Sequence, residues 1–352
     1  MTDEEVSPPT PAEKRALRKL VRGIVLAQGN VFIKELLRKK DIRIGATKAD
    51  FESNLLDAIN DGKLREKDVS DWLDEVEGWG DQHVYLFRVP DAVANNVLWA
   101  SPATVEKKLK GTRLARFWNA KTSLLYPSNL VLTGIYFDGE ALRFVWHQGL
   151  GAWVRTPKMD RKESVDGDRY EFRAYRERLD RLLMRFEMRI KQRLAAVFMQ
   201  IPWNAKDHEN ALKVVADAIK PLVSLGDLDP LAISTAIKTL DQTELNAAAN
   251  SKRQITAQRA RLSDAGVYVE FANTVGTGGY KESQAVRDVR GAVQPENFTG
   301  TNGYFVYHPQ GDGAVQRDAK IELFGDDRRV RLWEQLTATE VWEILELLGK
   351  NA

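Results

Sequence analysis

The chain has no cysteine, which excludes disulfides, thiolate nucleophiles, zinc ribbons and cysteine-ligated clusters. Histidine is nearly as scarce. His83, His147, His208 and His308 are the only four in 352 residues, none at ligand spacing from another, and His208-Glu-Asn does not continue into a metalloprotease helix. No cofactor or metal is therefore expected. No apolar run approaches the roughly 20 residues of a membrane-spanning helix, so no membrane partner is expected either. Charge of one sign is also missing in bulk. Lys plus Arg is 52 and Asp plus Glu is 50, a net +2 that excludes a uniformly basic coat. Apolar residues at 43% and charged residues at 29% exclude wholesale disorder. The opening MTDEEVSPPTP is acidic and proline-rich, unlike a secretory signal, and residues 1–11 read as a disordered lead-in. An intracellular protein is expected, either cytoplasmic at the nucleoid or nuclear.

The length suits two or three domains. Thr10-Pro-Ala-Glu13 reads as a capping box with Pro11 at the first helical position. Leu17, Leu20, Val21, Ile24 and Val25 follow at helical spacing, with Gly29 as a stop. Asn30 caps a second helix. Thr47-Lys-Ala-Asp50 starts a third, ending near Gly62, and a fourth runs from Arg65 to Glu77. A small helical domain is thus expected over 12–78. Past Gly78-Trp-Gly80 the pattern turns to strands: 83–89, then a hairpin whose Asp138-Gly139 supplies positive φ angles. Further strands are expected at 151–155, 168–175, 267–271, 304–308, 320–324 and 329–333. A long helix is expected from Arg173 to Met199, two or three helices over 207–262, and a closing helix at TEVWEILELL. The fold class is α+β, a four-helix N-terminal domain followed by a larger sheet-and-helix body over 79–352, with possible lobes at about 79–200 and 201–352.

Charge is divided locally. Residues 14–48 hold eleven bases against Glu35 and Asp41, a net +9, whereas 49–82 hold eleven acids against three bases, a net −8. Such a dipole steers a polyanion to one side. Arg18, Arg22, Arg38, Lys39, Lys40, Arg43, Thr47 and Lys48 are the candidate phosphate contacts. Two weaker basic stretches follow. One holds Lys107, Lys108, Lys110, Arg113 and Arg116. The other is a stripe of Arg178, Arg181, Arg185 and Arg189 at i, i+3, i+4 spacing, opposite Leu179, Leu182, Leu183, Phe186 and Ile190 on the expected long helix.

Residues 31–59, VFIKELLRKKDIRIGATKADFESNLLDAI, resemble a SAP motif, a helix–extended loop–helix module of chromatin and DNA-repair proteins. Leu36 and Leu37 match the first apolar pair, Ile42 and Ile44 the loop anchors, Lys48 the family lysine, and Phe51, Leu55 and Ile59 the second helix. The family glycine falls on Ala46, with Gly45 one place earlier. The resemblance covers about 29 residues and implies DNA rather than RNA as partner. The chemistry needed is phosphate binding by helix N-termini and nearby cations.

Catalytic patterns are absent or incomplete. VGTGGYKES (275–283) lacks the glycine spacing of a phosphate-binding P-loop. Asp166, Asp168 and Glu171 are close in sequence, but Arg173 stands where a nuclease lysine would be. Trp146, Trp153, Trp333 and Trp342 are expected in the core, with Trp118 and Trp203 as exposed anchors. The expected function is a non-enzymatic DNA-associating protein whose α+β body takes a protein partner or more nucleic acid. A degenerate metal-dependent nuclease and a pure interaction scaffold are the alternatives.

Overall fold

The computed structural model describes the chain apart from residues 1–9, 28–29, 121–126, 201–204, 247–253, 265–266, 274–278, 280, 282 and 293–297. The expected lead-in (save Thr10 and Pro11), the Gly29 stop, Trp203 and most of the glycine loop lie outside the described residues. In chain order, helices α1 (Pro11–Ala27), α2 (Asn30–Lys39), α3 (Lys48–Asn60) and α4 (Glu66–Val76) precede strand β1 (Gln82–Arg88) and helices α5 (Asp91–Ala94) and α6 (Pro102–Leu109). Strands β2 (Val131–Phe137), β3 (Ala141–Arg155), β4 (Arg161–Val165), β5 (Asp168–Phe172), β6 (Tyr175–Arg189) and β7 (Leu194–Gln200) follow. Then come α7 (Ala205–Ile219), β8 (Asp229–Pro230), α8 (Ile233–Asn246), β9 (Ile255–Asp264), β10 (Val267–Ala272) and α9 (Gln284–Ala292). Strands β11 (Thr299–Tyr307), β12 (Ala319–Phe324) and β13 (Arg329–Leu332) and helix α10 (Ala338–Asn351) close the chain. The protein is α+β.

The chain divides into two compact units. The first comprises Met1–Glu75, Thr122–Val131 and Trp146–Leu182, and the second Val76–Lys121, Leu132–Val145 and Leu183–Ala352. In the first unit the capping boxes expected at Thr10–Glu13 and Thr47–Asp50 form, whereas Asn30, expected as a cap, is itself the first residue of α2. The Glu13 carboxylate accepts the Thr10 amide at 2.6 Å and hydroxyl at 2.8 Å, which satisfies donors that the start of α1 leaves open. The four helices bury Leu17, Leu20, Phe32, Ile33, Leu37, Phe51, Leu55, Ile59, Val69 and Trp72. These fall at the three- and four-residue spacing that places them on one side of each helix. The same unit holds the β4–β5 hairpin, which turns at Asp166 and Gly167, both at positive φ, and is exposed along both strands.

The second unit is built on one antiparallel sheet in the order β10-β9-β11-β12-β13-β1-β7-β6-β3-β2, with β8 also paired to β1. β1 hydrogen-bonds to β7 on one side and to β13 on the other, so a single sheet spans the division near residue 200 where two lobes are expected. Val84, Leu86, Phe198, Phe305, Ile321, Leu323 and Leu332 point to one face and pack with Ile237 and Leu240 of α8 and Trp342 and Leu345 of α10. The edge strand β2 is shielded by the chain after α6. Trp118 bridges to Ile135, and the Asn119 amide donates to the Ile135 carbonyl at 2.9 Å.

Three expectations are corrected. Residues 173–199 form two strands, β6 and β7, rather than a helix, with a turn through Arg193 at φ +56 between them. Residues 255–262 are strand β9, not helix. Of the tryptophans expected in the core, Trp146 and Trp342 are buried, but Trp153 is 71% and Trp333 38% exposed.

The arginines of the expected helical stripe explain the first error. In β6, Arg185 is buried with its guanidinium 3.4 Å from the Trp79 ring centroid and 4.3 Å from that of Phe198. Arg189 lies over Trp342 at 4.3 Å. The fully buried Glu187 carboxylate stands 3.4 Å from Arg143, 3.5 Å from Arg185 and 3.0 Å from Arg189. Burial pulls the Arg185 guanidinium below its ordinary pKa, with Glu187 opposing that pull. Cation–π contacts and one shared carboxylate together replace the water these charges lose. Replacing Glu187 with Gln takes the counter-charge from the inward-turned Arg185 and Arg189, while Arg143 keeps Asp138 at 3.5 Å. Urea unfolding should show a loss of about 3–5 kcal/mol; a loss below about 1 kcal/mol would mean that the cluster is hydrated.

Candidate nucleic-acid interface

The α2–α3 turn carries most of the expected phosphate contacts, and its geometry follows from two local motifs. Helix α2 ends with Asp41 at φ +50, the Ile42 amide bonded to the Leu37 carbonyl at 2.8 Å and the Asp41 amide to Arg38 at 3.1 Å. This Schellman arrangement reverses the chain and drops Ile42 into the core. Helix α3 then opens on a full capping box, in which the Thr47 side chain accepts from the Asp50 amide. The Asp50 carboxylate accepts the Thr47 amide at 2.8 Å and the Ala46 amide at 2.9 Å. These bonds, led by that from Thr47, hold the Asp50 carboxyl below its usual range.

The bend of Asp50 over the loop decides which residue must be glycine. A Cβ on Gly45 would collide with the Asp50 side chain, whereas position 46 carries alanine as it stands. The glycine requirement thus sits at Gly45. Ile44, expected as a second loop anchor, is exposed. Gly45→Ala should destabilise the protein by about 1–3 kcal/mol as an overpacked contact, while Ala46→Gly should cost less than about 1 kcal/mol. Equal melting shifts for the two would refute this placement.

Not every expected contact is available to a phosphate. Arg38 and Lys39 are exposed in the last turn of α2, where cations also suit the negative end of the helix dipole, and Arg43 is exposed in the loop. Lys40 is half-buried and ion-paired with Asp68. Thr47 is committed to the cap, and Asp50 already places a negative charge at the α3 N-terminus. Lys14 donates to the Asn60 carbonyl at 2.9 Å and so caps the C-terminal end of α3, and Arg18 donates to the Asn60 side chain. Lys48 is half-buried at the start of α3. The side chains of Arg22 and Arg178 lie outside the described residues.

In the second unit Lys107, Lys108, Lys110, Arg113 and Arg116 are all exposed, on the end of α6 and the chain after it. Arg116 lies over the Phe117 ring at 4.6 Å. No ion pair among the described residues engages any of the five. The remaining stripe does not form a surface. Arg185 and Arg189 are in the aromatic cluster, and Arg181 donates to His147 at 2.6 Å within the first unit.

The acids weighed for a nuclease do not converge. Asp166, Asp168 and Glu171 lie along the exposed β4–β5 hairpin, and Glu322 is paired with Arg259 at 2.8 Å. Among the described residues no three His, Asp or Glu side chains are grouped as a metal site. Lys281 of the glycine loop is buried against the Asp241 carboxylate at 3.1 Å.

The sequence reading missed one cluster. His83 and His208, 125 positions apart, meet edge to face with ring centroids 4.8 Å apart. Tyr85 and His208 share a hydrogen bond of 3.0 Å, and Arg329 donates to His83 Nδ1 at 2.8 Å. A donor at Nδ1 requires a lone pair there, so His83 is neutral. Burial first, then the charge of Arg329, pushes the His83 pKa from 6.5 down to about 3. Unfolded chains take up this proton below pH 6.5 and the folded chain does not, so stability falls as pH drops from 6.5 toward 3. His83→Gln should flatten that fall by about 1 kcal/mol per pH unit; urea midpoints at pH 7, 5 and 4 that change in parallel for both proteins would contradict it.

No protein-family model matches the chain, and no curated protein matches it.

Proposed function

We propose that the protein associates with nucleic acid, duplex DNA foremost, through phosphate contacts from two basic segments, the α2–α3 turn and Lys107–Arg116. The observation that carries this reading is the second segment. Five exposed cations fall within ten residues, opposed in sequence by Glu106 alone and held by no ion pair among the described residues. Solvated cations of this kind release the counterions of a phosphate backbone on contact. The +9 segment, with Arg38, Lys39 and Arg43 exposed on a SAP-like helix–loop–helix, supports the same reading. The contacts give affinity and positioning without base readout. The sheet body is proposed to take a protein partner or further nucleic acid.

Gel-shift titrations of unrelated duplexes at several salt concentrations test this. Changing Lys107, Lys110 and Arg113 together to Ala should flatten the slope of log affinity against log salt by about 2.7, and changing Arg38 and Arg43 to Ala by about 1.8. Both effects should be alike for all duplexes. Duplex binding that is absent, or unchanged in both variants, removes the proposal.

A further inference from the structure

Every residue of β4 and β5 is exposed, and neither outer edge of this two-stranded sheet is paired among the described residues. The base of the hairpin is nevertheless fastened. Arg155 grips the Asp160 carboxylate with both terminal nitrogens, and the Ala174 amide donates to the same carboxylate at 2.9 Å. The Thr156 amide donates to the Ala174 carbonyl at 2.9 Å. Strands held in this way meet a partner at little ordering cost. The register puts Val165, Tyr170 and Phe172 on one face with Arg161, Glu163 and Asp168, and Lys162, Ser164, Arg169 and Glu171 on the other.

An open edge takes another strand unless its side chains forbid it. The order Asp168-Arg169-Tyr170-Glu171-Phe172 selects a second copy of itself. Two such strands set antiparallel about a twofold axis at Tyr170 place Arg169 of each opposite Glu171 of the other, and the two Tyr170 side chains opposite one another. Within one chain Arg169 faces Ser164, and neither Arg169 nor Asp168 has an ion pair among the described residues. Glu171 faces Lys162 and has Arg173 at 3.7 Å. Pairing therefore gives Arg169 the acid it lacks and sets Glu171 between Lys162 and the second Arg169. The backbone agrees. Asp166 and Gly167 make a two-residue turn closed by Val165 and Asp168, which turns the polar backbone groups of Arg169 and Glu171 toward the open edge. The β4 edge offers no such match, because it would set Glu163 against itself and Lys162 against Ser164. Residues 155–173 carry a net +1 with the two signs interspersed, which favours neither a polyanion nor a polycation as occupant.

We propose that the protein self-associates through β5, two hairpins joining into one four-stranded antiparallel sheet in the order β4-β5-β5-β4. One face of that sheet carries the Arg169–Glu171 pairs, and the other buries Tyr170 against its copy, flanked by Phe172 and Val165 of both chains. Cross-strand pairs of opposite charge and of aromatic rings are the contacts that stabilise such a sheet. The proposal goes beyond nucleic-acid contact through the basic segments and uses none of their residues, so each stands or falls without the other.

Sedimentation velocity of the full chain from about 1 to about 300 μM should show a monomer–dimer equilibrium, since five-residue strands bury less than the roughly 1,200 Å² of a stable interface. Arg169→Glu should weaken dimerisation about tenfold or more, because it sets carboxylates opposite each other at two places. Mixing Arg169→Glu with Glu171→Arg should restore the dimer, as each chain then supplies the charge the other lacks. The chain has no cysteine, so Tyr170→Cys carries one thiol. At the axis its Cα stands about 4.5 Å from its copy, within disulfide reach, and mild oxidation should give a covalent dimer. Glu163→Cys, about 14 Å from its copy across three strand spacings, should not. The cross-link keeps the test decisive should a charge variant fail to fold. Monomer throughout the range, which would leave the hairpin to a partner of another sequence, would overturn the proposal. So would unchanged dimerisation in Arg169→Glu, no recovery in the mixture, or cross-linking at Glu163→Cys that equals or exceeds that at Tyr170→Cys.

Discussion

Strand β1 is bonded along both edges. Residues 82–88 pair with β7 throughout, while the other edge is shared between β13 at 82–85 and β8 at 87–88. It also separates two environments. Val84 and Leu86 enter the apolar core, whereas His83 and Tyr85 face α7 and the arginines of β13. Because side chains alternate strictly along a strand, a slip of one residue would put an imidazole and a phenol among Phe198 and Trp342 and leave Val84 beside Arg329. The order of the sheet, the seat of α7 and the neutral state of His83 all depend on that register.

Features set by a few adjacent residues were legible in the sequence. Asp138-Gly139 produced its hairpin with Gly139 at φ +95, and Thr47 to Asp50 produced the α3 cap. The segment 173–199 was not legible, for a physical reason. Leu179, Leu182, Leu183, Phe186 and Ile190 fall at helical spacing, and the arginines between them read as a solvated face. In β6, Arg185 and Arg189 turn inward and use their apolar stems and planar heads as packing material over Trp79, Phe198 and Trp342. The reversal after β6 runs through Arg193 at positive φ, without the glycine or asparagine that marks such turns. The His83–His208 contact joins residues 125 positions apart, and no local signal announces it.

The candidate interface was legible in its residue types and less so in their employment. Counting bases over 14–48 treats Lys14, Arg18 and Lys40 as equivalent to Arg38 and Arg43. Lys14 closes the carbonyl end of α3, Arg18 is bonded to the Asn60 side chain there, and Lys40 holds α4 through Asp68. Part of the local charge excess is therefore spent on helix ends and an ion pair. The Lys107–Arg116 run, weaker as a sequence signal, keeps its cations in solvent. Net charge by segment thus measures how many cations are present, and burial with pairing decides how many remain to meet a partner.

The arginine–glutamate–tryptophan cluster also shapes the response to heat. Hydration of charged groups becomes less favourable as temperature rises, so the penalty for keeping Arg185 and Glu187 out of water shrinks on warming. Aliphatic packing gains no comparable advantage over the same range. The seam between β6 and the Trp79–Phe198–Trp342 stack accordingly holds a growing share of the sheet's cohesion at high temperature, while cooling shifts that share toward the leucines, isoleucines and valines of the opposite half.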